Sequence, residues 1–291
     1  MSRLSHFWFL LLFSGLALAQ EPVDQRDFKD SINGCGPAAI LNLLKFSSDP
    51  AISRLYGDLP GSGEGTRMKY LVDRFYKSRN SVSYPGQRRW GLHGIESSDL
   101  ATGLNELLQE NDCAPFASTY LDREEGETGA AHLARCRQLI VRSIESGVMP
   151  ILSLRSFVVR RREREQMNPH WESGVHHYVL VVGVENPPST LGFGLEVIDP
   201  WRGKKSVVYL HRETHGHPFT ALKGTEDSGE WLSGRPFLQV IAEDLPSLRP
   251  ADLDWSERFL VVANFLIGRF CSALFRETYS RIRGLSVVLI L

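Results

Sequence analysis

Apolar positions in the first half of the chain recur at helical spacing. Pro37 to Phe46 is apolar almost throughout and reads as a buried helix. Met68, Leu71, Val72 and Phe75 share one face over 66–78, with Thr66 at its start. Leu100, Leu104, Leu107 and Leu108 share a face behind Ser97 and Ser98, either of which can cap that helix. Leu133, Leu139, Ile140 and Ile144 repeat the pattern over 130–145. Glycine-rich loops at 57–65 and 83–94 lie between these segments.

The period changes in the second half. Residues 148–154 form an apolar run of strand length. Residues 175–184 form another, apolar on both parities, as expected of a strand covered on both faces. Shorter runs follow at 193–198, 206–210 and 237–242. The intervals are too short for helical crossovers, so the strands are expected to pair antiparallel. Helices first and strands second predict an α+β fold. Pro246 and Pro250 read as a linker, and the apolar stretch 259–275, interrupted by Arg269, as a helix docked on the body. A helix that associates with a membrane is the other reading of that stretch. The expected organisation is a leader over 1–19, a domain over 20–245 and an extension over 246–291, which is apolar again at 285–291.

The 291 residues carry a formal net charge of -1, which suggests neither nucleic acid nor any strongly charged partner. Arg3, the apolar run 7–18 and Ala17-Leu18-Ala19 have the order of a secretory signal cleaved near Gln20. The run is short for a membrane span, the alternative being an uncleaved anchor. Export would place the mature chain in the periplasm, in the cell envelope or outside the cell, where disulfides are permitted. Cys113 and Cys136 are then a possible pair, with free thiols the other reading, since spacing does not fix connectivity. His211, His215 and His217 have metal-like spacing but no cysteine or placed carboxylate beside them, so no metal is expected. The run 160–165 reads as a solvated charged segment, with substrate steering as the alternative. Gly61 to Thr66 lacks the lysine and the preceding strand of a phosphate loop.

The candidate chemistry starts at Asn33-Gly34-Cys35-Gly36-Pro37-Ala38-Ala39. Glycines allow a sharp turn there, and the apolar residues behind begin a helix. A thiol at a helix N-terminus meets the positive end of the dipole, which favours its thiolate form. Such a nucleophile needs a base, and His176-His177 opens the most apolar strand. Adjacent strand residues point to opposite faces, so only one of the two can face the site. A base also needs a group to orient its ring, and Asp199 ends the next strand. Trp171 and Trp201 flank these two in sequence as candidate cleft walls, with core packing as the other reading. Each of the three has a plainer role open to it: core thiol, hydrogen-bonded histidine, turn residue.

Asn-Gly-Cys-Gly-Pro-Ala-Ala, then His-Tyr-Val-Leu-Val-Val-Gly-Val, then Ile-Asp-Pro resembles a papain-like cysteine peptidase. More narrowly, it is similar to the bacteriocin-processing (double-glycine leader) peptidases and exported relatives of them. Cys35 and His177 are 142 residues apart, near the ~130–150 of papain-type enzymes. The resemblance selects His177, the histidine followed by Tyr-Val. It implies a papain-like fold, a Cys35–His177–Asp199 triad, a peptide or protein substrate and no cofactor. It covers about 30–199. The family's glutamine a few residues before the cysteine is missing. Lys29 and Asp30 stand in that region and Gln25 lies further upstream. Asn33, with the Cys35 N–H, is the expected substitute for holding the oxyanion. No ATPase motif or multi-span segment is present, so the leader-peptide substrate does not carry over. A non-catalytic domain that binds peptide or envelope material, and an acyl transferase, are the alternatives.

Overall fold

The computed structural model describes residues 20–91, 94–160, 170–186, 188–212, 237–243, 245–248 and 258–270. The leader, His215, His217, Cys271, most of the charged run and the terminal apolar run lie outside them. Five helices precede or interleave with the strands. They are α1 (Cys35–Phe46), α2 (Pro50–Asp58), α3 (Glu64–Leu71), α4 (Ser97–Glu110) and α5 (Gly129–Glu145). The strands are β1 (Ala117–Tyr120), β2 (Ile151–Arg160), β3 (His170–Val184), β4 (Gly192–Asp199), β5 (Lys204–His211), β6 (Leu238–Ile241) and β7 (Arg258–Gly268).

Local chemistry accounts for the helices. Pro37 sits in the first turn of α1, where a missing N–H costs nothing because those donors have no intrahelical partner. Nearly every residue of α1 is buried, so this helix runs through the core and not along its surface. Asp49 caps α2 through its Oδ1, which accepts from the Ala51 N–H at 2.9 Å, and Pro50 supplies a preset first residue. Thr128 caps α5 by accepting from the Ala131 N–H at 3.2 Å. In α4 the cap position falls on Glu96, and Ser97 is turned inward instead of capping. The segment predicted as one helix over 66–78 is α3 followed by a wider turn, Val72–Lys77.

The α+β, papain-like arrangement expected from the sequence is not what forms. All strand pairings are antiparallel, and β2 to β7 close on themselves into a six-stranded barrel, in the order β2-β3-β4-β5-β6-β7. The closing strand is β7, which the sequence reading took for a docked or membrane-bound helix. It pairs with β2 on one edge, and with β6 and β1 on the other. A continuous apolar run fits a buried strand and a buried helix equally well, so periodicity alone misassigned it. Strand β7 thus joins the stretch 246–291 to strands that lie before 245. Arg269, which interrupts that run, lies just past the strand and donates to Asp49 Oδ2 at 2.5 Å. Among the described residues no helix is long and apolar enough to cross a membrane.

Curling the sheet requires local breaks, and register shifts occur between Ser153 and Leu154, Arg155 and Phe157, and Val181 and Gly183. Alternation then divides the side chains. Leu152, Leu154, Val179, Val181, Leu195, Val197, Val208, Leu238, Val261 and Ala263 belong to one core shared by all six barrel strands. Leu133, Cys136 and Ile140 of α5 join it. Ile151, Tyr178, Leu180, Ile198, Phe265 and Ile267 point the other way, into a second core with α1 to α4. Strand β3 is therefore covered on both faces, as its apolar residues on both parities suggest. The two cores separate Cys136 from Cys113, which packs against the helical one. Both are free thiols, so the pairing suggested for 113 and 136 does not form.

Candidate active site

The turn before α1 is built by two short 3-10 turns, Gln25–Asp27 and Ser31–Asn33. They fold the chain back on itself so that Gln25 lies beside Gly34. A side chain at Gly34 would come within 3.3 Å of Gln25 Cβ and 3.2 Å of the Ser31 carbonyl oxygen. Gly34 has φ −78, an ordinary backbone, so this glycine serves close approach and not a left-handed turn. Cys35 follows as the first residue of α1 and is 9% exposed.

His177 and Asp199 sit on the barrel-core faces of β3 and β4. Their relative exposures are 3% and 2%. His177 Nε2 donates to Asp199 Oδ1 at 2.7 Å. The same oxygen accepts the Trp201 N–H at 2.8 Å, and Oδ2 accepts from Ser247 Oγ at 3.0 Å. With Nε2 committed to Asp199, the other ring nitrogen is left for the Cys35 side chain, whose influence on the ring is second to that of Asp199. Burial by itself pushes the imidazole down. The hydrogen bonds with Asp199 and Cys35, and their charges, outweigh burial and raise His177 to about 10.

His176 takes the opposite face. Ser153 Oγ donates to Asn264 Oδ1 at 2.8 Å, so its oxygen accepts from His176 Nε2 at 2.7 Å. Arg155 Nη2 approaches Nδ1 at 3.5 Å and Glu96 Oε2 at 3.4 Å. This network assigns His176 as a neutral ring that donates from Nε2. Burial holds it well below its ordinary 6.5, and the charges of Arg155 and His177 add to that.

The adjacent histidines therefore tilt stability in opposite directions. His177, raised from 6.5 to about 10, contributes fully below pH 6.5, and the contribution is lost as pH climbs toward 10. His176, depressed, contributes above 6.5 and loses its contribution as pH falls. Urea midpoints between pH 5 and 10 should fall on both flanks in the parent chain. His177→Gln should flatten the alkaline decline and His176→Gln the acid one. Unchanged flanks in both variants would contradict this assignment.

Of the other sequence candidates, Asn33 is half-buried beside Gly94, whose added Cβ would lie 3.7 Å from Asn33 Oδ1. Gln25 is the residue that sequence reasoning passed over, because it stands ten positions before Cys35. It is 2% exposed. Its Nε2 donates to the Ser31 carbonyl at 2.7 Å, and its own N–H donates to the Pro200 carbonyl at 2.8 Å. Gln25 thus ties the cysteine turn to the turn that follows Asp199. Trp201 is half-buried beside Asp199. Trp171 pairs with Val159 and stands six positions before His177 on β3, roughly 20 Å away along an extended strand.

Among the described residues no group of three or more histidine, cysteine or acidic side chains is arranged to hold a metal. Cys136, 0% exposed, is pushed up to about 12 by burial. It is a core thiol. The arrangement around Cys35 can do covalent chemistry: a sulfur at a helix N-terminus, an imidazole that responds to it, a carboxylate fixing that ring, and a side-chain amide beside the turn. No family model, curated protein or solved structure matches the chain.

Proposed function

We propose that this chain is an exported thiol amide hydrolase that cleaves peptide bonds in a peptide or protein substrate. The observation that carries the reading is the buried His177 ring, bonded to Asp199 at 2.7 Å and raised by the neighbouring Cys35 side chain. Buried polar groups of this kind are costly unless satisfied, and three such residue types converging on one point is the arrangement that activates a thiol. Cys35 Sγ attacks the carbonyl carbon, and the carbonyl electron pair moves to oxygen. Gln25 Nε2 and the Cys35 N–H are the donors for that oxyanion. His177 gives its proton to the leaving amine, and the tetrahedral centre collapses to a thioester. Water then attacks the thioester while His177 takes a proton from it. The acid product leaves, and the sulfur recovers its starting state. Asp199 keeps Nε2 occupied throughout, so that the other nitrogen faces the sulfur. If an amine takes the place of water, the same groups perform acyl transfer.

An electrophilic peptide probe, such as a vinyl sulfone, followed by peptide mapping tests the reading. Label is expected on Cys35 alone, and it should be lost in His177→Gln. Label spread over Cys113 and Cys136, or indifferent to His177, would overturn the proposal. Mass analysis of substrate products, with and without added amine, separates hydrolysis from transfer.

A further inference from the structure

Asp199 is held from a part of the chain that the sequence reading treated as a linker. Ser247 lies 48 residues downstream, in the 3-10 turn Pro246–Leu248 that follows β6. Leu245 and Leu248 flank it, 2% and 1% exposed, and both are anchored in the barrel core. The Leu248 N–H donates to the Leu245 carbonyl at 3.1 Å, which closes the turn. The turn packs on β2 and β3. Two leucines in the core thus hold the one hydroxyl between them against Asp199 Oδ2.

That contact decides how the carboxylate can rotate. Oδ1 must face His177, and the Trp201 N–H on the same oxygen constrains only that end. A second donor on Oδ2 fixes the plane of the group. Without it that buried oxygen loses its partner among the described residues, and the carboxylate gains by turning away from the ring in search of another. We propose that Ser247 is a positioning residue for the Asp199–His177 pair, which makes the turn between β6 and β7 part of the active site. The proposal rests on the hydrolase reading above. It adds that the last third of the chain controls the reactivity of a cysteine near its start.

The test uses the full chain with Ser247→Ala and Ser247→Thr, the latter keeping the hydroxyl. Labelling of Cys35 by iodoacetamide at pH 7 should slow roughly tenfold in Ser247→Ala, the worth of one hydrogen bond to a charged group. An NMR titration of the His177 ring, assigned by its loss in His177→Gln, should have its midpoint lowered by about one pH unit. Ser247→Thr should restore both. A merely structural serine would lower the melting temperature of Ser247→Ala but leave the ring titration and the labelling rate unmoved, and that result overturns the proposal. Parallel His177→Gln and Asp199→Asn variants keep the two ideas apart. If they label Cys35 at the parental rate, the hydrolase reading falls. If they slow labelling and Ser247→Ala does not, only the role of Ser247 falls.

Discussion

Asp199→Ala is expected to lose about 3–5 kcal/mol of stability, because it leaves the buried His177 ring and two half-buried donors without their acceptor. The side chain accepts from His177 Nε2, from the Trp201 N–H and from Ser247 Oγ. His177 and Asp199 are almost fully covered, and Trp201 and Ser247 are half-buried. For a chain of this length the melting temperature should drop on the order of 10 °C. Peptide hydrolysis should fall by about 10^2–10^4, because the His177 ring is no longer held in the tautomer that leaves its second nitrogen for the sulfur. The change also removes what keeps His177 charged, and burial then drives the ring toward its neutral form. Asp199→Asn retains an acceptor oxygen and should recover most of the stability but little of the activity. Differential scanning calorimetry and a fluorogenic peptide assay on the same preparations measure both effects. A melting curve for Asp199→Ala that overlays the parent would refute the network.

Gln25→Ala should lower kcat by about 10^2–10^3, the cost of one oxyanion donor. It should do so while Cys35 alkylation by iodoacetamide stays at the parental rate. Displacement at a saturated carbon builds no oxyanion, so only attack on a carbonyl needs the amide. The stability cost should be small, about 1 kcal/mol for the lost bond to the Ser31 carbonyl. Asn33→Ala, the donor expected from the sequence, should change kcat little. The reverse pattern would move the oxyanion site to Asn33. Loss of alkylation together with turnover in Gln25→Ala would mean that the residue only shapes the cysteine turn.

The contrast between Gln25 and Asn33 illustrates what a linear reading can and cannot reach. Asn33 was within two residues of Cys35 and looked suitable. Gln25 was ten residues away, and its place beside Gly34 depends on two turns that pack against each other and on the anchor to Pro200. The histidine pair was more legible. Strand alternation requires the two rings to face opposite ways, and they do, His177 toward Asp199 and His176 toward Ser153. Spacing could not show which face carried the carboxylate; the Tyr-Val that follows was the only hint. The suggested pairing of Cys113 with Cys136 failed for a comparable reason, because nothing local reveals that the two lie in different cores.

Most helices and the central strands were legible because their causes are local: apolar period, caps at Asp49 and Thr128, proline in a first turn. So was the position of Cys35, since a glycine turn followed by Pro-Ala-Ala starts a helix with that thiol in its first turn. What remained hidden depends on contacts between distant segments. An apolar run such as 258–268 becomes a strand only because β2 and β6 offer it open edges, and that pairing closes the barrel. The same closure carries the turn at 246–248 onto Asp199. The sequence by itself determined the chemical groups, the helix that carries the thiol and the strands that carry the base and the carboxylate. Only the tertiary structure decided which amide and which hydroxyl stand beside them, because those neighbours arrive from segments whose backbone donors and apolar faces are satisfied by partners far away in the chain.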